Sequence, residues 1–325
     1  MDLQFLLFLQ SLRDTAPDWV TSLLLHFSEF SIGVIPVLVF ALVYWCVDKR
    51  TGAVMLFSFT GASVLNQAIK NTACVYRPWI RDSRIQLVAQ AANSATGYSF
   101  PSGHTTCGTV FYGGVALWLK KYSRWMILPC VLLALATAFS RNWLGAHTPQ
   151  DVLVALVLST AFLCFASVLF KWADAKPCRD VDIAAFGILF STAMLVYITL
   201  KPYPLDYAAD GALLVDPWNM MTDCYRAAGG LSGFLLGWLI ERHCIRFDEH
   251  GALLRRVVRY IAGTAAVWYV NGKLGAWLPQ MLDAHWSQYA AMAGTMFTIT
   301  CAYPAGVKVV QWLTRGGKIR DREIS

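Results

Sequence analysis

SRNWLGAHTPQDVLVALVLSTAFLCFASVLFKW, residues 140 to 172, divides sharply in two. From Val152 to Phe170 there is no charged side chain, close to the roughly 20 apolar residues that a membrane-spanning helix needs. Immediately before it lie Arg141, His147 and Asp151, at the place where such a helix must begin. Thr148, Pro149 and Asp151 read as N-cap, first helical residue and capping-box acid, so the segment carries its own start signal. A membrane helix opened by ionisable residues is the pattern that the remainder of the chain has to explain.

The 325 residues are 57 % hydrophobic and only 14 % charged, and the mean hydropathy is +0.47. Similar apolar windows recur near residues 30–47, 53–70, 102–119, 125–141, 182–200, 226–245, 256–278 and 287–313. The first of these can be extended back towards Trp19, with Ser28, Glu29 and Ser31 interrupting it. The expectation is an all-α polytopic integral membrane helical bundle of about nine spans. The net charge of +7 sits in small clusters between apolar runs rather than on one stripe, which argues against nucleic acid as a partner. Cys46, Cys107, Cys130, Cys164 and Cys301 fall within apolar stretches as small hydrophobes, without a CxxC pair.

The basic residues orient the bundle, because Lys and Arg accumulate in cytoplasmic joins. Lys49 and Arg50, Lys120 and Lys121, Lys171 and Lys176, Arg242 and Arg246, and the tail with Arg315, Lys318, Arg320 and Arg322 alternate with joins poor in such charge. The expected topology has the N-terminus outside, periplasmic or luminal, and the C-terminus in the cytoplasm. Residues 1–18 read as an interfacial helix without a signal-peptide charge pattern, 19–200 as a membrane core, and 201–325 as an acidic outer loop with three further spans. Lys70, Arg77, Arg81, Arg84 and Arg141 break the charge rule by clustering on the outer side. For Arg81 and Arg84, snorkelling to lipid headgroups is sufficient explanation.

The others form a constellation. Lys70 and Arg77-Pro78 follow the second span, Pro101-Ser102-Gly103-His104 opens the third, and Ser140-Arg141 with His147 and Asp151 precedes the fifth. One ammonium and two guanidinium forks suit a doubly charged phosphate. Ser102 and the amides around Gly103 add an anion-binding helix start. Two histidines supply an attacking group and a proton donor, and Asp151, one turn after His147, can fix its tautomer. Each residue taken singly also has a bland reading: Ser102 and Asp151 as caps, Gly103 as a turn, Lys70 as a snorkelling side chain, Arg77-Pro78 as a helix stop. The joint spacing is what those readings leave unexplained.

That spacing, Kx6RP, PSGH and SRx5Hx3D without gap or substitution over residues 70–151, resembles the signature of the type 2 phosphatidic acid phosphatase superfamily. The resemblance implies a metal-independent phosphohydrolase without cofactor, acting on a lipid phosphate at the outer face of the bilayer. His147 would be the nucleophile that becomes phosphohistidine, Asp151 its orienting partner and His104 the acid. Lys70, Arg77, Ser102, Gly103 and Arg141 would hold phosphate. The length and the WCVDKR join are similar to the long branch that includes sphingosine-1-phosphate and glucose-6-phosphate phosphatases.

Other outcomes share these residues. A phosphotransferase would pass the same phosphoryl group to an acceptor alcohol, a sugar-phosphate phosphatase would take its substrate from water, and a lipid transporter would keep the site as a vestige. The vanadate-dependent haloperoxidases carry the same motif set but are soluble proteins. Residues 201–225, with Asp206, Asp210, Asp216 and Asp223 beside Tyr203, Tyr207 and Trp218, read either as a solvated loop or as a lid over the site. Gly229, Gly233 and Gly237 read as a helix-packing stripe, and Asn271 and Lys273 as polar groups within a span.

Overall fold

A computed structural model of the chain describes residues 2–176, 178–208 and 210–323, of which 314–323 are described as backbone alone. The basic tail residues Arg315, Lys318, Arg320 and Arg322 therefore lie outside the described side chains. The helices in chain order are α1 (Asp2–Thr15), α2 (Asp18–Phe30), α3 (Val34–Cys46), α4 (Lys49–Ala73), α5 (Pro78–Arg81), α6 (Gly103–Leu119), α7 (Ile127–Trp143), α8 (Pro149–Asp174), α9 (Arg179–Leu200), α10 (Pro217–Ile240), α11 (Leu253–Trp277), α12 (Ala284–Phe297) and α13 (Tyr303–Glu323). Among the described residues there is no strand, only an isolated bridge between Tyr207 and Leu213. The fold is all-α.

Four helical segments are long and apolar enough to cross a membrane: 49–81, 124–143, 149–174 and 179–200. The pair α2 and α3, bent by 46°, makes a fifth if it is one broken span. The bend falls at Ser31–Gly33, where Gly33 takes φ of 76°, and α2 begins at Asp18, beside the expected Trp19. Each expected window is largely helical, the first of them broken at Ser31–Gly33, but length and composition alone support four or five spans rather than about nine. At 17 residues α6 is short for a bilayer, α12 runs through a π-helical turn at Thr298–Ala302 into α13 rather than standing alone, and α10 and α11 dilute their apolar runs with glycine and with Asp223, Arg226, Arg255, Arg256 and Arg259.

Large apolar side chains face outward as well as inward. Leu153, Val157, Phe186 and Leu189 on α8 and α9 are 60–71 % exposed, which suits hydrocarbon and would be costly in water. Inside, Phe40, Trp45, Phe57, Phe111, Phe170 and Phe234 belong to one buried cluster that ties α3, α4, α6, α8 and α10 together. The start signals read from the sequence are used. Thr148 and Asp151 form a complete capping box on α8, and Ser102 caps α6.

The C-terminal helices are not a separate body, since α10 packs on α4, α9 and α12. Gly229 and Gly233 make the α10–α12 approach possible: a Cβ at either would fall onto the carbonyl oxygens of Tyr289 and Ala293. At the other end of the chain, α1 lies against α7, and Arg13 donates to the carbonyls of Trp143 (3.0 Å) and Gln86 (2.9 Å). That clasp fixes the turn in which His147 sits.

Candidate active site

The turn between α7 and α8 is built by its own backbone. The Arg141 carbonyl accepts from the amides of Ala146 (3.0 Å) and His147 (3.2 Å), closing the end of α7. Gly145 makes the reversal at φ of 74°, and a Cβ there would stand 2.8 Å from the Gln86 carbonyl oxygen, so the position needs glycine twice over. Asn142 Nδ2 donates to the His147 carbonyl at 2.8 Å. His147 is thereby locked in place at 1 % exposure.

Both ring nitrogens of His147 have partners. Arg77 Nη1 lies 2.9 Å from Nε2, and a guanidinium can only donate, so Nε2 is the bare nitrogen and the ring proton is assigned to Nδ1. Nδ1 faces Asp151 Oδ2 at 3.5 Å and Ser99 Oγ at 3.4 Å. Burial first, and then the Arg77 charge, hold the His147 pKa well below the usual imidazole range against the opposing pull of Asp151. The ring is neutral, with the electron pair of Nε2 directed at Arg77.

Asp151 serves two purposes that the sequence left as alternatives. Its Oδ2 accepts from the Thr148 amide at 2.8 Å, as a cap must, and from Ser99 Oγ at 2.5 Å, while the same carboxylate faces His147. Its own carbonyl accepts from the Ser102 amide at 3.1 Å, which joins the start of α8 to the start of α6.

The cations come from three elements. Arg77 is almost fully engaged, donating also to the carbonyls of Gly97 (2.9 Å), Thr96 (2.8 Å) and Ala146 (3.0 Å). Arg141 is fully buried, and only Nη1 is bonded, to Ser28 Oγ at 3.1 Å; Nε and Nη2 have no hydrogen-bond partner among the described residues. Buried, unpaired donors on a charged group are expensive, so this is where an anion belongs. Lys70, near the end of α4, is buried and faces the start of α6, where a Cβ on Gly103 would lie 4.0 Å from its Nζ. Ser102 Oγ accepts from the Thr105 amide (3.3 Å) and hydroxyl (3.0 Å) and keeps its own proton to donate.

His104, on the first turn of α6, places Nε2 3.3 Å from Glu29 Oε1. Glu29 also accepts from Ser94 Oγ at 2.6 Å and lies 4.0 Å from Arg141 Nη1.

Lys70, Arg77, Ser102, Gly103, His104, Arg141, His147 and Asp151 thus come together as one linked group. Arg81 and Arg84 do not join it; Arg84 instead pairs with Asp82 at 2.8 Å. Ser99 and Glu29 are the residues that sequence reasoning missed. The nearest signal was position: Ser99 stands just before Pro101-Ser102-Gly103-His104, and Glu29 is the lone acid in an apolar run. The expected loop over 201–225 ends at Asp216, where α10 begins, and packs beside the site, with Asp206 accepting from Tyr76 (2.6 Å) and Tyr203 donating to Asn71 Oδ1 (3.1 Å). Asp216 caps α10 and Asp210 accepts from the Ala212 amide, so these loop acids serve the loop itself.

The profile of the PAP2 superfamily matches residues 51–175, and that of the PAP2 superfamily phosphatase transmembrane extension matches residues 225–311. An undecaprenyl-diphosphatase of Bacillus subtilis is 28 % identical over 184 residues, 56 % of this chain and 87 % of that protein. An undecaprenyl-diphosphatase of Sulfolobus acidocaldarius is 31 % identical over 134 residues, covering 41 % and 61 % of the two chains. A lipid A 1-phosphatase of Rhizobium johnstonii is 28 % identical over 120 residues, covering 37 % and 48 %. No solved structure matches.

Proposed function

Because this integral membrane chain belongs to the PAP2 superfamily, we propose that it is a phosphatase hydrolysing the phosphate monoester or diphosphate of a lipid through a phosphohistidine at His147. The observation that carries the reading is the bare Nε2 of a neutral, buried His147 in the same linked group as the unpartnered nitrogens of the buried Arg141. Diphosphatases of a polyprenyl lipid and a phosphatase of lipid A among the relatives favour a lipid over a soluble sugar phosphate.

In this mechanism the phosphoryl oxygens take hydrogen bonds from Arg141 Nε and Nη2, the Lys70 ammonium, the Ser102 hydroxyl and the first amides of α6. One of them competes for the Arg77 proton now directed at His147, freeing the electron pair on Nε2. Nε2 forms a bond to phosphorus as the bond to the leaving oxygen breaks, and His104, carrying both ring protons once the anionic phosphate is bound, passes one of them to that oxygen. The Nδ1 proton stays between His147 and Asp151, which stabilises the charge that the ring acquires. Water then attacks phosphorus, gives a proton to His104, and the P–N bond breaks to release phosphate and restore the neutral ring.

The three side-chain cations provide the charge stabilisation that a metal ion supplies in other phosphatases, so the proposed reaction needs no metal. The alternation of basic joins supports a site at the periplasmic or luminal face, with the C-terminus in the cytoplasm. The test is phosphate release from phosphatidic acid, a sphingoid-base phosphate, a polyprenyl diphosphate and a sugar phosphate, with the His147→Ala protein as blank. Release from at least one lipid above the blank is expected; release from the sugar phosphate alone would replace the lipid reading, and release from none would end it.

A further inference from the structure

A cavity of about 560 Å³ lies among α3, α4, α6, α10, α11 and α12. Gly103 and His104 line one end of it, so the cavity reaches the proposed site at the first turn of α6, where the proton donor stands. Away from them the walls are mostly apolar, with Val37 on α3, Phe59 on α4, Ala227 on α10, Val267 on α11, and Met292 and Met296 on α12, interrupted by Thr60, Thr264, Asn271 and Thr295. The lining positions on α10 run from Asp223 to Gly230, which at 1.5 Å per residue carries the cavity about 10 Å from the rim towards the middle of the bilayer. Trp268, 71 % exposed, and Val34, 49 % exposed, belong to the same wall, so the cavity has an opening on the lipid-facing surface between α11 and α3.

We propose that this cavity binds the apolar chain of the lipid whose phosphate lies at His147, and that the C-terminal helices α10–α12 thereby select substrates by chain. The proposal rests on the phosphatase reading and adds a role for a region that contributes no reactive group to it. Three features favour a hydrocarbon chain as occupant. The cavity meets the reacting groups at one end, it leads to the bilayer at the other, and its volume lies within the few hundred to about 1,000 Å³ of ligand pockets. Methionines on α12 suit this use, because their unbranched side chains adapt to a chain of variable shape. The side opening lets a chain longer than the cavity continue into the bilayer.

Butyl phosphate and hexadecyl phosphate present one headgroup with and without a long chain, and a hexadecyl phosphate with a diazirine in the chain marks where that chain lies. In the His147→Ala protein the photoprobe should label α10–α12, with labelling suppressed by hexadecyl phosphate and not by butyl phosphate. In the active protein hexadecyl phosphate should be turned over with kcat/KM at least about tenfold above butyl phosphate, a modest share of what burying several methylenes can supply. Ala227→Phe, which narrows the cavity from α10, should remove most of that advantage and leave butyl phosphate turnover unchanged. Met292→Ala, which widens it from α12, should leave butyl phosphate unchanged and raise kcat/KM for the branched chain of farnesyl phosphate at least about threefold relative to hexadecyl phosphate.

Labelling confined to other helices, or a long-chain advantage indifferent to both substitutions, would overturn the tail site while leaving the phosphatase standing. Competed labelling of α10–α12 by a protein that releases phosphate from neither probe nor any lipid of the substrate panel would overturn the phosphatase and keep the tail site.

Discussion

Nη1 of Arg77 stands 2.9 Å from Nε2 of His147, so a group proposed to hold phosphate is hydrogen-bonded to the group proposed to attack it. The contact parks the nucleophile as a neutral base and helps keep it so. Burial is the larger cause of the low His147 pKa and the Arg77 charge the next, and both disfavour imidazolium. As pH falls through the ordinary imidazole pKa of about 6.5, His147 therefore stays unprotonated and competent. Arg77→Gln removes the second cause and leaves the first, so the pKa should rise. The acid limb of kcat/KM should move to higher pH in Arg77→Gln than in the parent protein, alongside a fall of about a hundredfold at the optimum. An unmoved acid limb would show that Arg77 does not govern this titration.

His147→Ala should lower turnover by at least about a thousandfold and eliminate any acid-labile phosphoenzyme trapped from labelled substrate. The variant should still elute from size exclusion in detergent with the parent profile, since the ring is held by its surroundings and does little to hold them. Persistent phosphoenzyme would move the nucleophile elsewhere.

Glu29 acts, on this geometry, as a positioning residue for His104 at 3.3 Å. Glu29→Gln should lower kcat on an alkyl phosphate by about tenfold or more, in the range found when a partner behind a reactive histidine is lost. On p-nitrophenyl phosphate, whose leaving group needs little protonation, the loss should shrink for both Glu29→Gln and His104→Ala. Equal losses on both substrates would mean that Glu29 merely supports the fold.

Ser99 donates to Asp151 at 2.5 Å and flanks His147 Nδ1 at 3.4 Å, so it fixes the carboxylate that fixes the ring. Ser99→Ala should reduce kcat by about tenfold with KM little changed, because the phosphate contacts are untouched. A change confined to KM would place Ser99 on the substrate instead.

Turnover should be nearly unchanged after prolonged dialysis against a chelator, because Lys70, Arg77 and Arg141 provide the positive charge. A loss restored by one divalent cation would refute the metal-free mechanism.

Much of the site was legible in the sequence because its parts sit at helix ends, where local rules are strong. Thr148-Pro149-Gln150-Asp151 announces a capped helix, and the structure shows the capping box complete. Sequence logic set capping against orientation of His147 for Asp151, although the carboxylate faces both, since Thr148 and His147 are adjacent in the chain. The number of spans was less legible: apolar windows identify helices well, but α6 is short for a bilayer, α12 joins α13 through a π-helical turn, and α2–α3 breaks at Gly33.

The sequence by itself determined the helical membrane class, the spacing of the cations and histidines, and the starts of α6 and α8, because all of these follow from composition and from contacts within a few residues. Only the tertiary structure decided which nitrogen of His147 is bare, that Ser99 and Glu29 stand behind Asp151 and His104, and that α10–α12 close a cavity onto the site. Those outcomes join residues some 50 to 200 positions apart, and no local periodicity or capping preference records which distant side chain will meet which.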